Sequence, residues 1–404
     1  MAVMTDLHLI VQDLMEQSMG KEAIDTIDLS NIASLGDYII NSDFENGTND
    51  LIFGKLVDRI GRTVIANRLY NNKFEFLSMD PFTYGYVLQK IHVETFEART
   101  SGKYYNGSDP DTEQFGNYTP AIHVGLFANS KDWEFAMTIT KEQVKSAFTD
   151  EASLAAFIAG IFTAMDTSVA KSLEDVARST LAAFMGELLV AQAAADTAEE
   201  TKILAVNLNQ AYYDETGNNV SAAAAPYNEG FLRWCTSKFI DEKRLFGDLT
   251  VIRNDKGFEK HTPEQYLKFV INGKFADNIK RFMQSNVYHD ELVNMPGYVE
   301  IDFWQGIGNG SFADRTKIDA TLISTYDDHG TATNNTIEQT GIVGVMYDSE
   351  AVGVTLYERD TVAVPVPRRH RTNYFEQCMV GNFIDLSEQA TVYYLGTVTV
   401  PQSP

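Results

Sequence analysis

The feature of this sequence that most restricts its possible folds is a helical pattern of unusual length. From Asp150 onward, apolar residues recur at steps of three and four, at Leu154, Ile158, Ile161, Met165, Val169, Leu173, Val176, Phe184 and Leu188. This spacing places them on one side of an α-helix. About 35 residues at about 1.5 Å each give roughly 52 Å, far beyond the usual three turns. The sequence therefore predicts a long helix that forms the spine of a domain.

The residues before this helix alternate with the period of β-strands. Apolar residues alternate with polar or small ones over 133–139, which is typical of a half-buried strand. Two stretches, 56–77 and 84–97, are rich in β-branched and aromatic residues but carry polar side chains throughout. The turn at 78–82 between them predicts a long two-stranded ribbon. Such a ribbon is marginally stable alone, so we expect it to lie on another surface.

The second half of the chain mixes predicted helices with short strands. A helix is predicted at 229–246, a strand at 249–253, and a further helix after Thr262-Pro263-Glu264-Gln265, which combines a capping box with proline at the first helical position. Shorter strands are predicted at 298–303, 318–325, 342–347 and 374–383. Together with the long helix, these elements predict an α+β fold.

Charge limits the partners that the chain can have. The net charge of −24 disfavours binding to nucleic acid through counterion release, so a DNA partner would be enclosed and not gripped. The dense basic cluster Arg368-Arg369-His370-Arg371 is an exception in this acidic chain. It is either a solvated or ion-paired loop, or a group of cations that meets carboxylates on a neighbouring subunit. No stretch has the apolar length of a membrane span, so we expect no membrane partner.

Motifs for catalysis or metal binding are weak. The cysteines Cys235 and Cys378 are far apart and have no metal-binding spacing. Asp327-Asp328-His329 could supply metal ligands, but the following Gly330 indicates a solvated turn. We therefore expect no catalytic residue, cofactor or metal site, and a metal-dependent enzyme that uses this triplet remains the alternative.

The order of the predicted elements resembles that of a known family. Three stretches carry the likeness, which are LVDRIG at 56–61, the strand and its continuation at 133–148, and YDSEAVG at 347–353. The strand at 374–383 and the closing residues 393–395 fit the end of the same pattern. The chain resembles the major capsid proteins of tailed bacteriophages, the Johnson or Hong Kong 97 type fold, and is most similar to those of small podoviruses with protein-primed genomes.

The resemblance implies a division of the chain. It comprises an N-terminal arm (1–54), an extended β-ribbon or E-loop (55–120), a peripheral domain with the spine helix (121–200), an axial domain (201–370), and a return to the peripheral domain (371–404). The E-loop of such proteins lies over the neighbouring subunit. Contacts between subunits are therefore expected at Arg68, Lys73, Lys90, Arg368, Arg369 and Arg371.

The resemblance also implies a function without enzymatic activity. The chain is expected to assemble with itself, as hexamers and pentamers, into an icosahedral-type shell around double-stranded DNA. A separate scaffolding protein and a portal are the other expected partners, and assembly is expected in the host cytoplasm before the chain becomes part of the virion capsid. An encapsulin-like compartment with a protein cargo is the alternative.

Overall fold

The structure is a computed structural model. It describes residues 70–79, 87–96, 119–140, 151–284, 297–305, 314–322, 325–326, 332–333 and 335–399. The predicted arm at 1–54, Arg68 and the candidate metal ligands at 327–329 lie outside these residues.

The described elements follow one another in an α+β order. The first are β1 (Leu88–Val93), β2 (Ile122–Phe127), β3 (Ser130–Thr140), α1 (Glu151–Thr197), β4 (Ala205–Asn207), α2 (Leu208–Thr216), α3 (Glu229–Phe246), β5 (Leu267–Asn272), α4 (Gly273–Gln284) and β6 (Val299–Ile301). The chain continues through β7 (Ile318–Thr321), β8 (Thr325–Tyr326), β9 (Ala332–Thr333), β10 (Thr336–Gln339), β11 (Ile342–Asp348), β12 (Val352–Val366), β13 (Arg371–Ile384) and β14 (Ala390–Tyr394). Short 3₁₀ helices lie at Glu75–Leu77, Ala225–Tyr227 and Pro367–Arg369.

The predicted spine helix is confirmed and is longer than expected. Helix α1 has 47 residues, which corresponds to about 70 Å. It continues to Thr197 because the segment after Leu188 is rich in alanine, the residue with the highest helix propensity. Leu181, Phe184 and Leu188 are buried on its inner face, where Phe184 meets Tyr347 edge to face. The spine helix thus packs on the central sheet of the subunit.

That central sheet has five strands and is covered on both faces. Its strand order is β4-β14-β11-β5-β6, with parallel pairs at the two edges and antiparallel pairs between them. Along β11, Val345 and Tyr347 join the core beneath the spine helix, whereas Val343 and Met346 join the core formed with α2, α3 and α4. Because both faces are buried, β11 reads as a continuous apolar run and does not alternate.

A second sheet carries the predicted strand at 133–139. Its order is β12-β13-β3, and β3 alternates in burial as predicted. The long β12–β13 hairpin pairs from Val352 with Ile384 to Val366 with Arg371, and a bulge between Leu356 and Glu358 interrupts its register. The hairpin ends at the 3₁₀ turn Pro367–Arg369, which places the basic cluster at its tip.

The predicted ribbon is described only in part, since residues 56–69 of its first half lie outside the described residues. Strand β1 pairs with β2, and the described residues 70–77 contain a 3₁₀ turn and no strand. The strand prediction was wrong over residues 70–77, because Phe74 and Leu77 are buried in the core beside the spine helix. Burial of these two large apolar side chains outweighs the β preference of the local sequence. We call the β1–β2 pair the ribbon from here on.

Two predicted elements of the second half were also wrong. Residues 249–253 form turns with a single bridge from Thr250 to Lys260, and no ladder follows. The helix expected after Thr262 is instead a turn followed by β5, whose short apolar run fits a strand buried on both faces. Helix α3, by contrast, covers the predicted residues 229–246.

The last strand pairs within the five-stranded sheet, whereas the strand before it pairs within the three-stranded one. Strand β14 lies between β4 and β11 in the five-stranded sheet, and only β13 joins β3. The side chains of β14 explain this position, because Val392 fills the core under the spine helix while Tyr393 fills the opposite one.

Candidate assembly surface

The ribbon has one apolar face that no other described residue of the chain covers. Cross-strand partners share a face, so Ile91 lies beside Val124 and Val93 lies beside Ile122. Ile91 is 63% exposed and Leu126 is 67% exposed, and Val93, Ile122 and Val124 are also exposed. A row of large apolar side chains of this kind is a typical protein interaction surface.

The opposite face of the ribbon docks on the subunit's own body, by which we mean the described residues outside the ribbon. Lys90 Nζ donates to the carbonyl oxygen of Glu350 at 2.5 Å and lies 3.0 Å from Asp385 Oδ2 and 3.4 Å from Glu388 Oε1. The same ammonium group lies 5.7 Å from the centre of the Phe383 ring. Lys90 is therefore engaged within its own chain.

Aromatic contacts form the second part of this docking. The ring of Phe258 lies 4.5 Å from the His92 ring and 4.6 Å from the His123 ring, measured between ring centres. Thr95 also donates a hydrogen bond to Glu259, next to Phe258. A cavity of about 580 Å³ remains between the ribbon and the body. The ribbon thus rests on a few polar and aromatic contacts and not on a packed core.

A buried polar network fixes the segment that leads towards the ribbon. Tyr70 Oη donates to Glu174 Oε2 at 2.6 Å, and Arg178 donates to Glu174 Oε1 and to the carbonyl oxygen of Phe303. Burial and the hydrogen bond to Glu174 raise the pKa of Tyr70 to about 12. Burial alone would raise the pKa of Glu174, but hydrogen bonds from Tyr70 and Arg178 outweigh it and hold that pKa below its usual range.

The basic tip, which comprises Arg368, Arg369, His370 and Arg371, projects from the β12–β13 hairpin. Arg368 and Arg369 are exposed and form no ion pair with another described residue. His370 adopts a φ of 49°, the left-handed conformation that closes the turn. Arg371 begins β13 and is half-buried. The two exposed guanidinium groups are available to a partner.

The same sheet carries an acidic band. Asp360 and Glu134 flank Gln377 across the three strands, and Glu358 and Asp132 flank Met379 two residues further along. All four carboxylate residues are exposed and lie on one face, beside a depression of about 400 Å³. One subunit thus carries both a basic tip and an acidic surface.

The contact residues expected from the sequence are separated in the structure. Lys73 forms an ion pair of 3.6 Å with Asp302, and both side chains are about half exposed. The side chain of Lys90 lies between the ribbon and the body, and Arg368, Arg369 and Arg371 lie at the hairpin tip. Sequence reasoning missed β2, Phe258 and the Glu174 network, because contacts between distant segments leave no local pattern. The alternation of apolar Ile91 and Val93 with polar neighbours was the one available signal.

The described residues hold neither a candidate metal site nor a candidate membrane span. Within these ranges no group of three or more His, Cys, Asp or Glu side chains is arranged to hold a metal ion. None of the described helices is both long and apolar enough to cross a membrane.

Comparison with curated proteins finds two relatives over part of the chain. The major capsid protein of Bacillus phage GA-1 is 27% identical over 120 residues, which are 30% of this chain and 24% of that protein. The major capsid protein of Streptococcus phage Cp-1 is 27% identical over 131 residues, which are 31% of this chain and 33% of that protein. The matches thus span a third or less of either relative.

A solved structure shares the fold at low identity. A chain in the structure of the head fiber and inner core protein gp22 of native bacteriophage P68 superposes with a TM-score of 0.53 at 9% identity, over 82% of this chain and 86% of that chain. A chain of the capsid structure of Staphylococcus phage Andhra gives a TM-score of 0.48 at 10% identity, over 83% of this chain and 87% of that chain.

A family model matches nearly the whole sequence. The model described as Phi29-like phage major capsid protein covers residues 9–393. This range includes the ribbon, the spine helix, both sheets and the hairpin tip, and it agrees with the tailed-phage capsid fold predicted from the order of elements. The chain therefore belongs to the family of Phi29-like phage major capsid proteins.

Proposed function

We propose that this chain is the shell-forming subunit of a phage capsid, that copies of it assemble through the ribbon, and that it has no enzymatic activity. The contact between copies is inferred from one observation, the uncovered apolar face of the ribbon. Its polar face is engaged with the chain's own body, so the ribbon is already oriented with Ile91 and Val124 outward. A second copy is the occupant, because family membership makes self-association the expected use of such a surface.

A covered ribbon is favoured energetically. Removal of apolar surface from water contributes about 25 cal/mol per Å² in favour of an association, before the entropic cost of association is subtracted. The unpaired edges of a two-stranded sheet also invite pairing with another chain. A neighbouring copy that covers this face would supply the support that an isolated hairpin lacks. In this arrangement the ribbon is the E-loop of the capsid fold.

The spine helix with the three-stranded sheet would form the peripheral domain, and the five-stranded sheet with α2, α3 and α4 the axial domain. Hexamers and pentamers of such subunits would build an icosahedral-type shell with the help of a separate scaffolding protein and a portal. Assembly would take place in the host cytoplasm and yield the virion capsid. The family match favours this shell over the encapsulin-like compartment.

The packaged cargo in this proposal is double-stranded DNA. A net charge of −24 supplies little of the counterion release that drives binding to DNA. The shell would thus enclose DNA without specific recognition, and like charge would keep the packed DNA from adhering to the wall.

Substitution of the apolar face tests the proposal. The double variant Ile91→Lys with Val124→Lys should keep the fold, because both side chains are exposed, but should not form closed shells. The matched control is Ile91→Val with Val124→Ile, which keeps the apolar character and the summed volume and should assemble normally. Sedimentation measures assembly and circular dichroism measures folding. Normal shells from the lysine variant would refute the ribbon contact.

A further inference from the structure

Two histidine rings of the ribbon hold the ring of Phe258 from the body. His92 and His123 are cross-strand partners, and their ring centres are 6.4 Å apart. Both rings contact Phe258, and the His92 ring stacks on it. The Nε2 atom of His92 is buried and has no hydrogen-bond partner among the described residues. If this atom were protonated, its N–H group would have no hydrogen-bond acceptor among the described residues.

Charged and titratable groups surround this stack on each side. They are Lys90, Glu94 and His123 of the ribbon, Lys256, Glu259 and Lys260 of the loop that carries Phe258, Glu350 before β12, and Asp385 and Glu388 after β13. His123 Nε2 lies 2.8 Å from Glu94 Oε1 within the ribbon itself. Burial lowers the pKa of His92, and the positive charges of Lys260 and His123 lower it further, against the weaker opposite effect of Glu388 and Glu94.

The sign of the pH dependence follows from this environment. A histidine in solvent has a pKa of about 6.5. When the ribbon leaves the body, His92 returns to solvent, so the released state binds more protons than the docked state at acidic pH. By linkage, docking has its full strength above the ordinary histidine pKa and weakens as the pH falls below it.

We propose that His92, His123 and Phe258 form a latch that holds the ribbon on its own subunit at neutral pH and releases it on acidification. The inference rests on the proposed function, because it names what regulates the surface that contacts a neighbouring copy. Geometry favours a reversible latch, since the cavity beside the stack leaves part of the ribbon unpacked against the body and the ribbon adds no strand to another described sheet.

The distance between ribbon and body can be measured directly in unassembled full-length subunits. Nitroxide labels on Gln89→Cys, on the exposed face of the ribbon, and Asp248→Cys, in the exposed turn after α3, report it by double electron–electron resonance. The native cysteines Cys235 and Cys378 are buried, so the two added thiols take the labels. Spectra are recorded at about pH 7.5 and about pH 5.5, either side of the histidine range.

The expected result is one short distance at the higher pH and a several-fold larger long-distance population at the lower pH. His92→Phe with His123→Phe keeps the ring contacts but cannot take a proton, so its ribbon should stay docked at both pH values. His261→Gln, an exposed histidine in the same loop as Phe258, should behave like the parent.

Equal distances in the parent at both pH values would overturn the latch, and so would the same rise in the phenylalanine variant. Neither outcome affects the shell contact, which is tested separately by the assembly of the Ile91 and Val124 variants. If the Ile91 and Val124 variants assembled in a way that refuted the shell contact, the pH response could still be measured in unassembled subunits.

Discussion

At the scale of single residues, Glu174 joins the spine helix to the segment before the ribbon. Its carboxylate accepts from Tyr70, from Arg178 and from the backbone NH of Lys73 at 3.3 Å. Arg178 also lies over the Phe74 ring at 4.6 Å. The network holds Phe74 in the core and so fixes where the segment before the ribbon packs on the spine helix.

Glu174→Gln should therefore destabilise the subunit by about 3 kcal/mol, because the buried Arg178 charge loses its counterpart. Denaturant unfolding monitored by circular dichroism measures the loss. Asp175→Asn, on the exposed side of the same turn, is the matched control and should change the free energy of unfolding by less than about 0.5 kcal/mol. Equal effects from the two variants would contradict the role of the network.

The pH dependence of this network has a definite sign. Because the folded-state pKa of Glu174 is below its usual range, its stabilising contribution is present above the ordinary glutamate pKa and is lost as the pH falls through the lowered value. The Glu174→Gln variant should therefore lose less stability on acidification than the parent. Unfolding curves recorded across the acidic range measure the difference.

At the scale of elements, the spine helix shows which features its sequence determines alone. Its two glycines have different surroundings, because a Cβ at Gly160 would meet no atom within 4 Å, whereas one at Gly186 would lie 2.7 Å from Ile337 and 2.9 Å from Leu322. Gly186 thus lets the strands β7 and β10 approach the helix closely.

Gly160→Ala should stabilise the subunit by up to about 1 kcal/mol through helix propensity. Gly186→Ala should destabilise it, because the added methyl group displaces the β7–β10 pair. Thermal unfolding compares the two single variants. A gain in stability from Gly186→Ala as large as that from Gly160→Ala would show that the close approach is not a constraint.

The hairpin tip supports a second prediction at this scale. We propose that Arg368 and Arg369 meet carboxylates of a neighbouring copy, for which the acidic band of Asp132, Glu134, Glu358 and Asp360 is a matching surface. Arg368→Gln with Arg369→Gln should then weaken assembly at low salt, and the difference from the parent should shrink as salt is added. Arg233→Gln with Arg244→Gln, on the exposed side of α3, is the control pair. Unchanged assembly of the tip variant would indicate a solvated loop.

Periodic elements could be predicted from the sequence and long-range pairings could not. Helix α3 spans the predicted residues 229–246, where Asn228 caps it and Phe231, Leu232 and Phe239 are buried at helical spacing. Strand β12 was missed because its outer half is exposed on both faces and has no alternation. Within the ribbon, β2 follows β1 only after a long segment, and the local sequence of neither strand specifies the other as its partner.

At the scale of the whole molecule, the subunit combines a buried centre with projecting elements. The five-stranded sheet packs against the spine helix in one apolar core and against α2, α3 and α4 in a second. The ribbon and the hairpin tip, by contrast, expose the side chains that an isolated subunit would be expected to bury or pair. This division fits a subunit whose contacts with neighbouring copies are made by its projecting elements.

Cryo-electron microscopy of the purified full-length chain, with scaffolding protein added and sedimentation as the size check, tests the central claim most directly. The account predicts closed shells or capsomer rings in which the face of Ile91 and Val124 lies on a neighbouring copy. Particles in which this face meets solvent, or a chain that stays monomeric with scaffolding protein present, would contradict it.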